Sequence, residues 1–550
     1  MPTIEFNKHD LFDLIDEEMS DSELEEVLTR VKVEVEEIVD DRVEVEVTSD
    51  RIDLLSVEGI ARSVRTYRDT QSGLQKYEIH EGPYQFTVDD VPVRPHVVTA
   101  VVRNVDLGTA AVKSLIQLQE KLHGTFGRDR ERVSIGIHDM TEVDFPLTYK
   151  AVAPDEYSFI PLEQDEKMTL QEIVEDHEKG KKYRELVESH DKWPLIVDDN
   201  DDVLSFPPII NARRTEVTTA SSDLFIDVTG TDPTSLHYAL NVIVTALAER
   251  GGEIYGVEMH ESGDRYTTPD FSTDEMQVDL DAIEAVTGIE LDRDSARDYL
   301  EKMGYGVVEL GDTLEVVVPP YRADILHEVD IAEDVAIGYG YNNIEPELPN
   351  ISTVGEPDPV EDFMHSVRDL MTGFGYQEIM NPTLTDEETL NHDANRDSDD
   401  FIRLANPVSD KYTVGRDMLL PQMLHTLADN THNEYPQKVF EAADVITKDE
   451  DQPNRTHTDR HLAAVRAGQD VDYTTIKKVA EGLFESLGVE PEFEKEYHST
   501  FIEGRTAEIL IDGISVGTIG EINPAVLNNV ALEMPVAAFE VNLDRIHDLV

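Results

Sequence analysis

Apolar positions change period several times along this 550-residue chain, and each change marks an element. Leu24, Val27 and Leu28 share one face of a helix that starts behind Ser20-Asp21-Ser22-Glu23, a capping-box sequence. The period then drops to two: Val31, Val33 and Val35, then Val43, Val45 and Val47, predict two strands around the charged turn Asp40-Asp41. The segment SDRIDLLSVEGIARSVRTY, residues 49–67, gives an amphipathic helix after a polar loop. Residues 1–83 thus read as a small α/β unit.

Residues 84–262 mix predicted strands (97–102, 133–137 and 254–259) with helices, the clearest being 235–250 before Gly251-Gly252. The centre of this stretch, residues 203–232, is rich in Asn, Thr, Ser and Asp between short apolar strands, a pattern that lines a pocket or merely closes turns. Residues 269–346 predict two helices, a hairpin turning at Gly311-Asp312 and a third helix, the outline of a winged helix. A linker at 349–359 precedes residues 355–550, with a helix at 360–371, an acidic loop at 393–400, a helix at 473–487 and strands at 439–442, 462–466, 507–511 and 516–521. The fold class expected is multidomain α+β.

A length of 550 residues exceeds one hydrophobic core, and 39% apolar composition is enough to fold several. No apolar run approaches the roughly 18 to 20 residues of a membrane span, and the N-terminus lacks the pattern of a signal peptide, so a cytoplasmic protein without membrane contact is expected. The absence of cysteine excludes disulfides, thiolate metal sites and cysteine nucleophiles. The formal charge of −71 is spread over every region instead of forming a tail, which points to a cytosol of very high salt, where surface acids are screened from one another.

The stretch PPYRADILHEVDIAEDVAIGYGYNNI, residues 319–344, carries the sharpest candidate chemistry. A helix starting after Asp324 would bury Ile325, Val329, Ala332 and Ala336 and set Asp330, Glu333 and Asp334 side by side on another face. A hard cation such as Mg²⁺ relieves the repulsion within such a group and keeps several of its own waters. The plainer reading is a solvated acidic face with Asp324 as N-cap. Residues 324–334 hold five acids where the average composition gives about two, a modest excess.

Four motifs stand in the order found in the β subunits of phenylalanyl-tRNA synthetase, and over essentially its whole length the chain resembles the shorter archaeal and eukaryotic-type form of that family. They are SDRIDLLSVEGIAR; SFPPIIN with FIDVTGTD; PPYRADILHEVDIAEDVAIGYGYNNI; and NPVSDKYTVGRDMLLPQMLHTLADN, residues 406–430. The resemblance implies a B3/B4 editing-type domain at 84–262, a winged-helix-like B5 domain at 269–346 and a class II synthetase catalytic-like module at 355–550, an antiparallel sheet with helices. It further implies an (αβ)₂ heterotetramer that joins phenylalanine to tRNA(Phe) with ATP through an adenylate formed on the α subunit. The β chain would then give structure, tRNA contacts and proofreading of Tyr-tRNA(Phe).

By the same resemblance, Mg²⁺ at the end of B5 is shared with the α subunit, and its ligand positions fall on Asp324, Asp330, Glu333 and Asp334. Residues 517–529, GTIGEINPAVLNN, keep a glycine-strand-helix outline without the arginine that adenylate chemistry needs, so the chain alone is not expected to aminoacylate. The editing candidates are Asn211, Thr215, Thr218, Asp227, Thr229 and Asp232, each of which also suits turn capping or strand pairing. His138 is either a base or a satisfied histidine at a strand end, and Arg213-Arg214 either holds the tRNA end or balances local acids. The alternatives are a free-standing aminoacyl-tRNA deacylase built on 84–262 and a metal-dependent nucleic-acid-binding scaffold.

Overall fold

The computed structural model describes residues 1–310 and 313–550, so the predicted Gly311-Asp312 turn lies outside the described residues. It divides into two compact units, Met1–Leu348 and Pro349–Val550.

The first unit opens with an antiparallel sheet in the order Thr3–Asn7, Arg42–Val47, Val33–Val39. The predicted capping box forms ahead of helix Asp21–Arg30: the Ser20 hydroxyl accepts from the Glu23 N–H, and the Glu23 carboxylate accepts from the Ser20 N–H. Leu24, Val27 and Leu28 are buried as expected. In residues 49–67 a 3₁₀ turn, Ile52–Leu54, leads into helix Val57–Tyr67, capped by Ser56. Gly59 sits in the first turn because its Cα faces the backbone of the 3₁₀ turn. A Cβ there would lie 1.8 Å from the Asp53 carbonyl oxygen.

Two sheets then pack face to face. The five-stranded one runs Ile79–His80, Glu253–Tyr255, His96–Arg103, Leu224–Gly230, Val133–Asp139, with Val133–Asp139 at its edge. Alternation along its strands sends Val98, Ala100, Ile135, Ile137, Ile226 and Val228 towards helices Thr109–Gly124 and Pro233–Ala248. Val97, Val101 and Phe225 instead meet Phe86, Tyr149 and Leu204 of the seven-stranded sheet. The strand predicted at 254–259 is two strands, Glu253–Tyr255 and Val257–Glu261, and they belong to different sheets. The apolar phase had already shifted between Ile254 and Val257, which a single strand cannot accommodate.

The last part of this unit is a three-stranded sheet, Asp274–Asp279, Thr313–Val318, Gly306–Leu310, with helices Leu280–Thr287, Arg293–Lys302 and Glu328–Tyr339. The third helix departs from expectation. It starts at Glu328 with His327 as N-cap, so Asp324 is neither its cap nor its start. Ile331, Ala332 and Val335 are buried, whereas Val329 is 47% exposed. The apolar stripe is thus rotated from the predicted one, and the rotation carries Asp334 inside, 1% exposed.

The second unit is built on a seven-stranded sheet in the order Gln377–Glu378, Gln437–Lys448, Thr456–Ala467, Val536–Asn542, Ile514–Ile522, Phe501–Ile511, Pro491–Lys495, antiparallel except for the first pair. Helices Pro359–Gly373 and Tyr473–Leu487 cover one face through Met364, Val367, Ile476 and Phe484. Helices Leu420–Asp429 and Pro524–Asn529 cover the other through Met423, Leu424 and Val526.

Gly59→Ala forces a methyl group against backbone that side-chain rotation cannot relieve. It is expected to cost about 1–3 kcal/mol, read as a lower denaturant midpoint for the transition of the first unit. An unchanged midpoint would show that the 3₁₀ turn is free to move.

Candidate functional site

Edge strand Val133–Asp139 needs partners for its outer hydrogen-bonding groups, and side chains supply them. The Ile135 N–H donates to His123 Nε2 at 2.8 Å, Gln119 donates to the Ile135 carbonyl at 2.7 Å, and Asn211 donates to the Ile137 carbonyl at 3.3 Å. A cavity of about 420 Å³ lies against this edge, between helix Thr109–Gly124 and the segment from Ser205 to Val217. Leu115, Ile116, Ile135, Ile137 and Ile210 give it apolar walls, and Ser205, Asn211, Thr215, Asp227 and Glu120 give it polar ones.

Because a backbone N–H can only donate, His123 Nε2 is an acceptor and its proton sits on Nδ1, 3.5 Å from Glu120 Oε1. Burial pulls the His123 pKa down to about 4, so the ring is neutral near pH 7. The neighbouring His123 and then the Arg130 guanidinium hold Glu120 down at about 2. Arg130 donates to Glu120 at 2.9 Å and to the carbonyls of Pro208 and Ile209 at 3.1 and 3.0 Å, which fixes the SFPPIIN loop over the cavity.

Strand register sets Asp227 opposite Gly136, with Phe225 opposite His138. Asp227 Oδ1 reaches across to His138 Nε2 at 2.8 Å, and His138 Nδ1 lies 2.8 Å from the Thr215 hydroxyl. Gly136 makes room for this pair, since a Cβ there would stand 2.2 Å from Asp227 Oδ1. His138 is fully buried and satisfied on both nitrogens, as the plainer reading had it, yet its two partners are both cavity-lining candidates. Asp227 Oδ2 has no protein hydrogen-bond partner among the described residues.

Of the six editing candidates, then, Asn211, Thr215 and Asp227 are brought together. Thr229 lies one residue pair further along the strand, where its hydroxyl accepts from Arg94 at 3.3 Å, and burial lowers the Arg94 pKa to about 10. Thr218 is exposed and closes a turn with Ser221, and Asp232 pairs with Arg132 and Ser235 at a helix start. Arg213 pairs with Asp165 and Arg214 with Asp198, so both balance local acids. Sequence reasoning missed Gln119, Glu120 and His123, whose helical spacing among Leu115, Leu118 and Leu122 was the available signal.

The four carboxylates expected to hold a cation have separate partners. Asp324 takes both arms of the buried Arg322 guanidinium at 2.8 Å each, and Asp334 Oδ2 accepts from Arg322 at 2.7 Å and from the Tyr305 hydroxyl at 2.5 Å. Burial alone would raise the Asp334 pKa, but the Arg322 charge outweighs it and the net shift is downward. Asp330 accepts from the N–H groups of Leu326 and His327, and Glu333 pairs with Lys32 at 2.9 Å. Burial opposes charge on Lys32, but Glu333 and Asp50 raise its pKa overall. Among the described residues, the one gathering of three carboxylate oxygens is the exposed Glu34, Glu36 and Glu46. As arranged in this chain, Asp324, Asp330, Glu333 and Asp334 do not fit a divalent cation, although Asp334 Oδ1 is buried without a partner.

Three family models match: the Phe-tRNA synthetase beta subunit B1 domain at residues 1–70, the tRNA synthetase B5 domain at 276–341 and the phenylalanyl tRNA synthetase beta chain CLM domain at 344–543. The phenylalanine–tRNA ligase beta subunit of Korarchaeum cryptofilum is 42% identical over 99% of this chain and 98% of its own. That of Pyrococcus abyssi is 41% identical over 99% of each. The crystal structure of an N-terminal fragment of the phenylalanyl-tRNA synthetase beta subunit from Pyrococcus horikoshii superposes with a TM-score of 0.60 at 39% identity, covering 62% of this chain and all of that one. Similarity at this level over the full length shows that the chain belongs to the phenylalanine–tRNA ligase beta-subunit family, and so is a subunit of an aminoacyl-tRNA synthetase.

Proposed function

We propose that this chain is the proofreading half of an (αβ)₂ phenylalanine–tRNA ligase. The α subunit activates phenylalanine with ATP and Mg²⁺ and charges tRNA(Phe), while residues 84–262 hydrolyse Tyr-tRNA(Phe). The observation that carries this reading is the cavity at the strand edge. Its volume of about 420 Å³ and its apolar walls suit an aromatic aminoacyl group, and its polar groups suit a substrate hydroxyl, whose loss a hydrogen-bonding site penalises strongly.

Asp227 is the pocket group with a free oxygen. With the carboxylate ionised, the Thr215 hydroxyl proton can point either to the Ala212 carbonyl or to His138 Nδ1, and both placements leave His138 Nε2–H donating to Asp227 Oδ1. Oδ2 is then held facing the cavity, where it accepts from a water. Attack of that water oxygen on the ester carbonyl carbon sends its proton to Oδ2. The carbon–ribose oxygen bond breaks, the ribose oxygen takes that proton back, and tyrosine leaves with the carboxylate restored.

The second unit supports the division of labour. At its centre Arg416 is paired with Glu441 at 2.8 Å, and Glu540 accepts from the N–H groups of Leu419 and Leu420 and pairs with His461 at 2.8 Å. These buried charges are spent on one another and on the backbone, as in a structural module. For Mg²⁺, the partners of Asp324, Asp330, Glu333 and Asp334 mean that a site at the B5 end belongs to the assembled enzyme, with the α subunit completing it. The spread of acids is read as adaptation to a cytosol of high salt.

Three outcomes are expected. Asp227→Asn slows single-turnover hydrolysis of Tyr-tRNA(Phe) by the assembled enzyme about 100-fold or more, and a rate equal to wild type would remove Asp227 from the chemistry. Full activity of the isolated chain would favour the free-standing deacylase. Calorimetric titration finds no Mg²⁺ site at the B5 end of the isolated chain but finds one in the tetramer, absent from the Asp330→Ala/Glu333→Ala variant; its persistence in that variant would sink the assignment. Thermal melts rise from dilute buffer to molar KCl, where the Debye length is about 3 Å; equal melting temperatures would refute the salt adaptation.

A further inference from the structure

Basic residues are scarce in this chain, 46 against 117 acidic ones, so a concentration of them has to be accounted for. Residues 179–184 hold four, Lys179, Lys181, Lys182 and Arg184, where average composition would give about 0.5. A second run, 128–132, holds three more, and the two runs together contain only two carboxylates, Asp129 and Glu131. They are some fifty residues apart in sequence, yet the fold joins them through one ring: Tyr183 lies 4.5 Å from the Arg130 guanidinium and 4.9 Å from the Lys182 ammonium.

Both runs reach the cavity, since Arg130 and Lys179 line it. Arg130 is committed to Glu120 and two carbonyls. The outer members are not: Arg128, Lys181 and Lys182 are exposed, and among the described residues neither they nor Lys179 pairs with a carboxylate. In a chain of net charge −71, unpaired cations grouped beside a pocket mouth are suited to an anion brought from outside.

Building on the editing reading, we infer that Arg128, Lys179, Lys181 and Lys182 form the docking surface for the phosphodiester backbone at the aminoacylated end of the tRNA. Phosphates near the 3′ terminus rest on these side chains while the terminal aminoacyl ester enters the cavity. The anionic remainder of the surface repels the rest of the nucleic acid at low salt, so the patch also selects which part of the tRNA approaches. At molar salt the screening length is about 3 Å, and the patch then works by direct contact with phosphate instead of long-range steering.

The test uses the assembled tetramer with Lys181→Glu/Lys182→Glu and two substrates, Tyr-tRNA(Phe) and a tyrosyl ester of adenosine that carries no phosphate. The inference requires KM for Tyr-tRNA(Phe) to rise about 10-fold or more with kcat unchanged, and the slope of log KM against log[KCl] to fall by about 1. Hydrolysis of the phosphate-free ester stays at the wild-type rate. Unchanged KM and slope for Tyr-tRNA(Phe), or equal damage to both substrates, overturns the docking surface and leaves the editing reading standing. A wild-type enzyme that hydrolyses neither ester overturns the editing reading, and the docking surface with it.

Discussion

The buried guanidinium of Arg322 constrains the first unit more than any other single group. Two carboxylates, Asp324 and Asp334, and the Tyr305 hydroxyl and ring surround it. Breaking such a pair from one side leaves an uncompensated charge in the interior, at a cost of about 3–5 kcal/mol. Helix Glu328–Tyr339 therefore takes the rotation that keeps Asp334 on Arg322, and its other contacts follow from that. Val329 turns to solvent, Glu333 turns to Lys32 of the N-terminal sheet region, and Asp330 is left at the helix start to collect free N–H groups. The neighbouring segments carry the same kind of contact: Arg62 lies 3.8 Å over the Tyr321 ring, Arg51 pairs with Asp53, and Asn241 donates to the Pro320 carbonyl. Residues 49–67, helix Pro233–Ala248 and the 319–334 segment are thereby tied into one body around buried charge.

The cavity obeys a similar rule on a smaller scale. An edge strand has to satisfy its outer backbone groups, and here Gln119, His123 and Asn211 do so, which fixes the pocket wall. Arg130 then anchors the overlying loop, and the His138–Asp227 contact occupies the space left by Gly136. Polar residues that a survey by chemical type would take for catalytic machinery are here mostly architecture. Asp227 Oδ2 is the exception, because the architecture around it leaves that oxygen unused.

Local signals were legible in the sequence wherever one element decided the outcome. The Ser20–Glu23 capping box, the alternation in Val43, Val45 and Val47, and helix Tyr473–Leu487 all appear as the pattern predicts. Signals failed where a distant partner decided. Asp334 reads as one of three carboxylates on an outer face, and only Arg322, twelve residues away and folded back, places it inside. Thr218 and Asp232 have the same chemistry as Thr215 and Asp227, but the strand register that selects between them is set by pairing with residues nearly a hundred positions earlier. The four family motifs, in contrast, were readable as an ordered set, and order along a chain does not depend on tertiary contacts.

The scarcity of positive charge makes its placement informative. Arg51, Arg62, Arg94, Arg130, Arg322 and Arg416 are each at most 7% exposed, so part of a supply of 46 basic residues is withdrawn into the interior. The surface is therefore more acidic than the formal −71 conveys. Buried arginines keep their charge at any physiological pH and fix geometry through several directed N–H groups, which a lysine does not do. A protein under pressure to carry acids outside loses nothing by spending its arginines inside, where salt screens them least. What positive charge remains outside then stands out against its surroundings. A polyanion meeting this surface finds few places to rest, and the lysines beside the cavity stand among the least opposed of them.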